Sequence, residues 1–120
     1  MSEDSTLNEL ESLVKKFCEN RDWTQYHNPK DLAIGISTEA NELLELFRFK
    51  ADDEIESIMK NTNKKENIEN ELADIFFFIL RFAQLNNIDL EAALKRKLAL
   101  NDEKYPQSLS KGSNKKYDEL

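Results

Sequence analysis

Glycine and proline each occur only twice in 120 residues. β-Sandwiches and barrels reverse the chain at short intervals with such residues, so their scarcity argues against those folds. Cys18 is the single cysteine, and no disulfide can close within the chain. Its place among apolar positions at helical spacing predicts a buried structural thiol. The single histidine, His27, leaves too few ligands for zinc and cannot supply the Glu-x-x-His pairs of a di-iron bundle. Nucleophilic triads lack a histidine partner for the same reason, and no glycine-rich phosphate loop is present. The longest apolar run, Ile75–Leu80, is far below the ~20 residues that span a bilayer. Met1–Thr6 is acidic and lacks the basic-then-apolar order of a secretory signal. These features predict a cytoplasmic protein that engages no membrane. Positive charge is scarce as well. The net charge is −7 with no dense Lys/Arg block, which argues against a nucleic acid polymer as partner.

Hydrophobic residues make up 39% of the chain and charged residues 34%, the balance of a folded chain with a charged exterior. Apolar spacing predicts one all-α domain over residues 1–106, a four- to five-helix antiparallel bundle. The first helix is expected from about Ser5 to Glu19, with Leu7, Leu10, Leu13, Val14, Phe17 and Cys18 on one face. Asn28-Pro29 reads as the cap and first position of a second helix running to about Phe49. One or two helical turns are expected within Ala51–Thr62. A third helix follows from Lys64 to about Asn86, then a fourth from Leu90 to Lys104, capped by Asp89 and ended by Pro106. The third is apolar almost all round from Ile75 to Ala83. A chain this short cannot cover such a helix alone, so completion of the bundle by a second copy is expected. Residues 107–120 show no apolar periodicity and are expected to form a flexible or substrate-induced tail.

Two carboxylate pairs stand among these apolar positions: Glu39-x-x-Glu42 in the second helix and Glu71-x-x-Asp74 in the third. The i, i+3 spacing puts both members of a pair on one face, about 60° apart. Antiparallel packing of the two helices would converge four carboxylates. Such a cluster repels itself unless some members are protonated or cations sit between them. Oxygen-only ligands suit magnesium, with manganese as substitute, and magnesium fills its shell from carboxylates, water and phosphates. Glu66/Glu69 and Glu42/Glu45 share the spacing without the same setting, so solvated helix faces explain part of the pattern.

The combination resembles the MazG-like all-α nucleoside triphosphate pyrophosphohydrolases, whose signature is E-x-x-E, a spacer and E-x-x-D; here the spacer is Leu43–Asn70. Arg21-Asp22-Trp23-Thr24-Gln25-Tyr26-His27-Asn28-Pro29-Lys30-Asp31-Leu32 is similar to R-D-W-x-Q-F-H-x-P-x-N-L of the dCTP pyrophosphatase subgroup. Glu45–Lys50 resembles its E-L-F-Q-W-K, Asn101–Pro106 its N-x-x-R/K-Y-P, and Lys115–Leu120 its tail. Phe49 stands where the subgroup usually carries tryptophan, and Thr38 and Asn41 stand where glycines usually precede the two metal glutamates.

The resemblance implies magnesium-dependent hydrolysis of nucleoside triphosphates between the α- and β-phosphates, giving monophosphate and pyrophosphate. It implies dCTP and 5-modified dCTP as substrates, a house-cleaning role in the nucleotide pool, and a homodimer or a tetramer of two dimers. Glu39, Glu42, Glu71 and Asp74 match the metal ligands, with Glu42 the expected base. Trp23 and Phe49, with the adjoining Lys50, match positions about the nucleobase. Lys97, Asn101 and Lys104, at i, i+4, i+7 and followed by Tyr105, offer donors to phosphate or sugar. His27 is expected near the substrate, bracing a loop in preference to doing chemistry. Two other readings remain open: a relative acting on another triphosphate or on phosphoribosyl-ATP, and a non-enzymatic helical oligomer that binds a partner protein.

Overall fold

The computed structural model describes residues 6–120, and among these every regular element is helical. Residue contacts divide the chain into two compact units, one ending at Asn87 and one spanning Ile88–Leu120. No helix among the described residues is long and apolar enough to cross a membrane.

In the first unit, α1 covers Leu7–Glu19. The Thr6 hydroxyl accepts from the Glu9 amide at 3.2 Å, satisfying one of the N–H groups that a helix start leaves unpaired. Ser5, the earlier expected start, lies outside the described residues. Cys18 is fully buried on the inner face, as its spacing predicts. The helix α2 covers Pro29–Glu45, with Asn28 Oδ1 accepting from the Asp31 amide at 2.8 Å and proline at the first helical position. It ends four residues before the expected Phe49. The Arg48 amide donates to the Leu44 carbonyl, and Phe49 then adopts a left-handed φ of 64°. Glycine usually marks such an ending. Phenylalanine occupies it here, so the stop carries no ordinary sequence signal.

A full helix, α3, spans Asp52–Lys60 where one or two turns were expected. Asp52, Asp53 and Glu54 place three acids in its first turn, where the helix dipole favours them. Asn61 closes α3 through its backbone N–H and opens α4 through its side chain, which accepts from the Lys64 amide at 3.0 Å. The helix α4 runs Thr62–Leu85, packs mainly on α2, and also touches α1 and α3. Ile68, Leu80 and Ala83 are buried on it.

Gly35 sets the closeness of α2 and α4. A Cβ built there would lie 2.6–2.8 Å from three ring carbons of Phe78. Phe78 in turn meets Phe77 edge-on at 5.3 Å, and Phe77 meets Phe17 of α1 at 6.0 Å. The apolar stretch of α4 thus touches both neighbours, yet Phe76 on it and Leu72 one turn before it remain substantially exposed.

In the second unit, α5 covers Leu90–Lys104, with Asp89 accepting from the Ala92 amide at 3.0 Å. Residues beyond Pro106 form a helical turn at Gln107–Ser110 and a 3₁₀ turn at Tyr117–Glu119. Tyr105 and Tyr117 pack edge-on at 6.1 Å, with Lys104 Nζ 5.0 Å over the Tyr117 ring.

Gly35→Ala is expected to destabilise the protein by about 1–3 kcal/mol, because the methyl group overpacks a site already in contact. Urea unfolding measures this. Adding Phe78→Leu should recover part of the loss, whereas an unchanged midpoint for Gly35→Ala would show that α2 and α4 can separate freely.

Candidate metal and active site

Glu39 and Glu42 project from α2, and Glu71 from α4. One carboxylate oxygen from each lies within 4.8 Å of the others. Gly35 meets Phe78 while Glu39 meets Glu71, so α2 and α4 run in opposite directions, and this register brings the two motifs together. Asp74 is exposed and lies outside that trio, but its charge still reaches both Glu39 and Glu71.

The burial of these groups separates a built site from a solvated acidic face. Oε2 of Glu39 and Oε2 of Glu71 are both buried with no hydrogen-bond partner. Buried polar atoms are nearly always satisfied, and an anionic oxygen left bare is disfavoured. Glu39 is pushed up to about 7, first by burial, then by the hydrogen bond its protonated form can make to Glu42 and by the Glu42 charge, with smaller contributions from Glu71 and Asp74. Glu71 also rises, chiefly through burial. A hard divalent cation meets both needs at once. It offers a partner to the bare oxygens and cancels the repulsion. The oxygen-only donor set fits magnesium or manganese and excludes soft metals.

The remaining expected residues are placed as follows. Trp23 is partly exposed in the α1–α2 connection, its ring edge against Phe17 at 5.6 Å and His27 at 6.3 Å. His27 accepts from Arg81 Nε at 3.0 Å through Nδ1. Burial and the Arg81 charge hold its pKa below the usual histidine value, so it is neutral and braces the loop. Phe49 is 89% exposed, an unusual state for an aromatic ring held in a left-handed backbone. The Arg48 guanidinium sits 4.5 Å over that ring and pairs with Glu45 at 3.1 Å. Lys50 follows, exposed. In the second unit Lys97 is exposed and Asn101 half-buried, while Lys104 and Tyr105 contact Tyr117.

Sequence reasoning passed over Arg48 and Arg81. Arg81 carried a signal, being the one charge in the stretch Ile75–Ala83, but its partners at Thr24 and His27 are 57 and 54 residues away.

The carboxylate cluster makes stability depend on pH. Native Glu39 titrates at about 7, above its ordinary value of 4.5. Between these values the metal-free native state binds more protons than the unfolded chain, so stability falls as pH rises and the loss is complete above the upper value. Metal-free protein is thus expected to resist urea better near pH 5.5 than near pH 8. Glu39→Gln should flatten that difference, and magnesium should stabilise the wild type mainly at the higher pH. Identical pH profiles for wild type and Glu39→Gln would show that Glu39 titrates normally.

The MazG-like family profile matches residues 34–120, a span that contains all four carboxylates. The chain is 32% identical to dCTP pyrophosphatase 1 of Homo sapiens over 119 residues, covering 99% of this chain and 70% of the human protein. Against dCTP pyrophosphatase 1 of Bos taurus the identity is 34% over the same coverage. A solved pyrophosphatase from Archaeoglobus fulgidus DSM 4304 superposes with a TM-score of 0.79 at 34% identity, covering 88% of this chain and 97% of that one. The four carboxylates stand in a chain that shares sequence with these proteins and fold with the solved one, and it belongs to the MazG-like family.

Proposed function

We propose that this protein hydrolyses nucleoside triphosphates between the α- and β-phosphates, releasing nucleoside monophosphate and pyrophosphate. We assign dCTP as its substrate, following the named relatives, and add 5-modified dCTP and a house-cleaning role in the cytoplasm on the resemblance of the sequence motifs. The observation that carries the reading is the convergence of Glu39, Glu42 and Glu71 with two buried, unpartnered oxygens, in a chain of this family. Glu39, Glu42, Glu71 and Asp74 would hold magnesium. When bound, the ion would offset phosphate charge and lower the pKa of the attacking water.

The chain's own groups do the rest. Glu39 and Glu71 each turn one oxygen away from solvent, and these oxygens would form the inner face of the site. Glu42 is the exposed member of the converging trio, and we take it as the carboxylate that accepts the water's proton. Trp23 and Phe49 present ring surface to the nucleobase, and Lys50 adds charge beside Phe49. The left-handed backbone at Phe49 leaves its ring exposed. On α5, Lys97, Asn101, Lys104 and Tyr105 carry donors of the kind that suit phosphate or sugar.

The exposure of Ile34, Leu44, Leu72 and Phe76 on α2 and α4 supports a homodimer, or a tetramer of two dimers, in which a second copy covers these side chains.

A panel of the common ribo- and deoxyribonucleoside triphosphates, with and without magnesium, tests the activity. Pyrophosphate release, greatest with dCTP, is the expected result; release of inorganic phosphate would overturn α–β cleavage. Glu71→Gln should lower turnover by more than the roughly 10–100-fold that losing an outer-shell metal partner costs. Asp74→Asn should abolish turnover while the melting temperature of the metal-free protein holds or rises, since one charge leaves a repelling cluster. A lower melting temperature with activity retained would place Asp74 outside the site.

A further inference from the structure

Arg81 is only 1% exposed and lies inside the most apolar part of α4. A buried cation costs several kcal/mol unless it is paired. None of the ion pairs among the described residues includes it. Its guanidinium instead donates to three neutral acceptors: Nε to His27 Nδ1 at 3.0 Å, one terminal nitrogen to Thr24 Oγ1 at 2.9 Å, the other to Gln84 Oε1 at 2.7 Å. Gln84 then donates to the Glu11 carbonyl of α1 at 2.7 Å.

Two of the three acceptors belong to the 3₁₀ turn that begins immediately after Trp23: Thr24 opens the turn Thr24–Tyr26 and His27 closes it. Other hydrogen bonds of this connection are local. The Trp23 amide donates to the Cys18 carbonyl, the Arg21 side chain to the Phe17 carbonyl, and the Gln25 side chain to the Asp22 carbonyl. Among the described residues, only Arg81 ties residues 21–28 by hydrogen bonds to an element other than the adjoining α1 and α2. An apolar side chain of similar length would fill this core position without the desolvation cost. A planar fork of donors is needed only if the orientation of the turn matters.

We propose that Arg81 is a positioning residue that clamps the Thr24–His27 turn onto α4 and thereby holds Trp23 ready for the nucleobase. This rests on the reading above that Trp23 borders the base. His27 must keep Nδ1 unprotonated to accept from Arg81, in accord with its lowered pKa. The order of the loop is set before substrate arrives, so the clamp acts on affinity for the base and leaves the phosphate chemistry alone.

Trp23 is the only tryptophan, so intrinsic fluorescence reports this loop alone. Arg81→Met is expected to remain folded by circular dichroism and to raise acrylamide quenching of Trp23 about twofold as the turn loosens. The KM for the preferred nucleoside triphosphate should rise about tenfold with kcat nearly unchanged, and hydrolysis of base-free methyl triphosphate should keep its KM. Arg81→Lys should resemble Arg81→Met, because an ammonium cannot span three acceptors in one plane. Wild-type quenching in a folded Arg81→Met protein would overturn the proposal. So would an equal KM loss on the base-free substrate, or full function in Arg81→Lys. If Arg81→Met does not fold, Thr24→Val removes one acceptor and should show the same quenching and KM changes at smaller size; an unaltered Thr24→Val protein would then overturn it. Quenching requires no turnover, so a wild type without pyrophosphohydrolase activity would sink the functional reading and leave the clamp separately measurable.

Discussion

The antiparallel contact between α2 and α4 underlies everything else in the first unit. It is close because Gly35 lets the Phe78 ring lie where a side chain would stand. That contact fixes the register one to two turns further along, where Glu39 and Glu71 meet. A shift of one residue in either helix would rotate a carboxylate by about 100° and disperse the cluster. The apolar packing at one end of the pair thus supports an arrangement of charges that is unfavourable by itself at the other.

Charge in this protein is organised in a way that composition conceals. A net charge of −7 looks unsuited to a polyanionic substrate. The acids that matter are few, however, and their mutual repulsion with two bare buried oxygens creates a demand for a divalent cation. Once such an ion is held, the local sign reverses and phosphate is attracted. The upward shifts of Glu39 and Glu71, caused first by burial, point the same way: without a cation, a proton is the nearest substitute.

Arg81 shows the same logic with opposite sign. It is a buried cation without a carboxylate, stabilised by neutral acceptors drawn from the loop before α2 and from α4 itself. Both features cost stability where hydrophobic residues would not. Both lie where the chain holds side chains that the proposed chemistry needs in fixed places, as expected when function and stability draw on the same residues.

Much was legible in the sequence because it depends on neighbours within one turn. Helix type, the caps Asn28 and Asp89, the burial of Cys18 and the pairing of carboxylates at i, i+3 follow from local spacing. The end of α2 was less legible, because Phe49 takes a backbone conformation that glycine normally signals. The extent of α3 was also missed, since Asn61 serves two helices at once and left no gap between them. Residue types and spacing alone determined that this is an all-α chain with two acidic pairs suited to a hard metal. Only the tertiary structure decided that Glu39, Glu42 and Glu71 converge while Asp74 stands slightly apart, and that Arg81 reaches across more than fifty residues to the Trp23 loop. The reason is physical: helix propensity and capping act over three or four residues, whereas burial and desolvation depend on which distant surfaces meet.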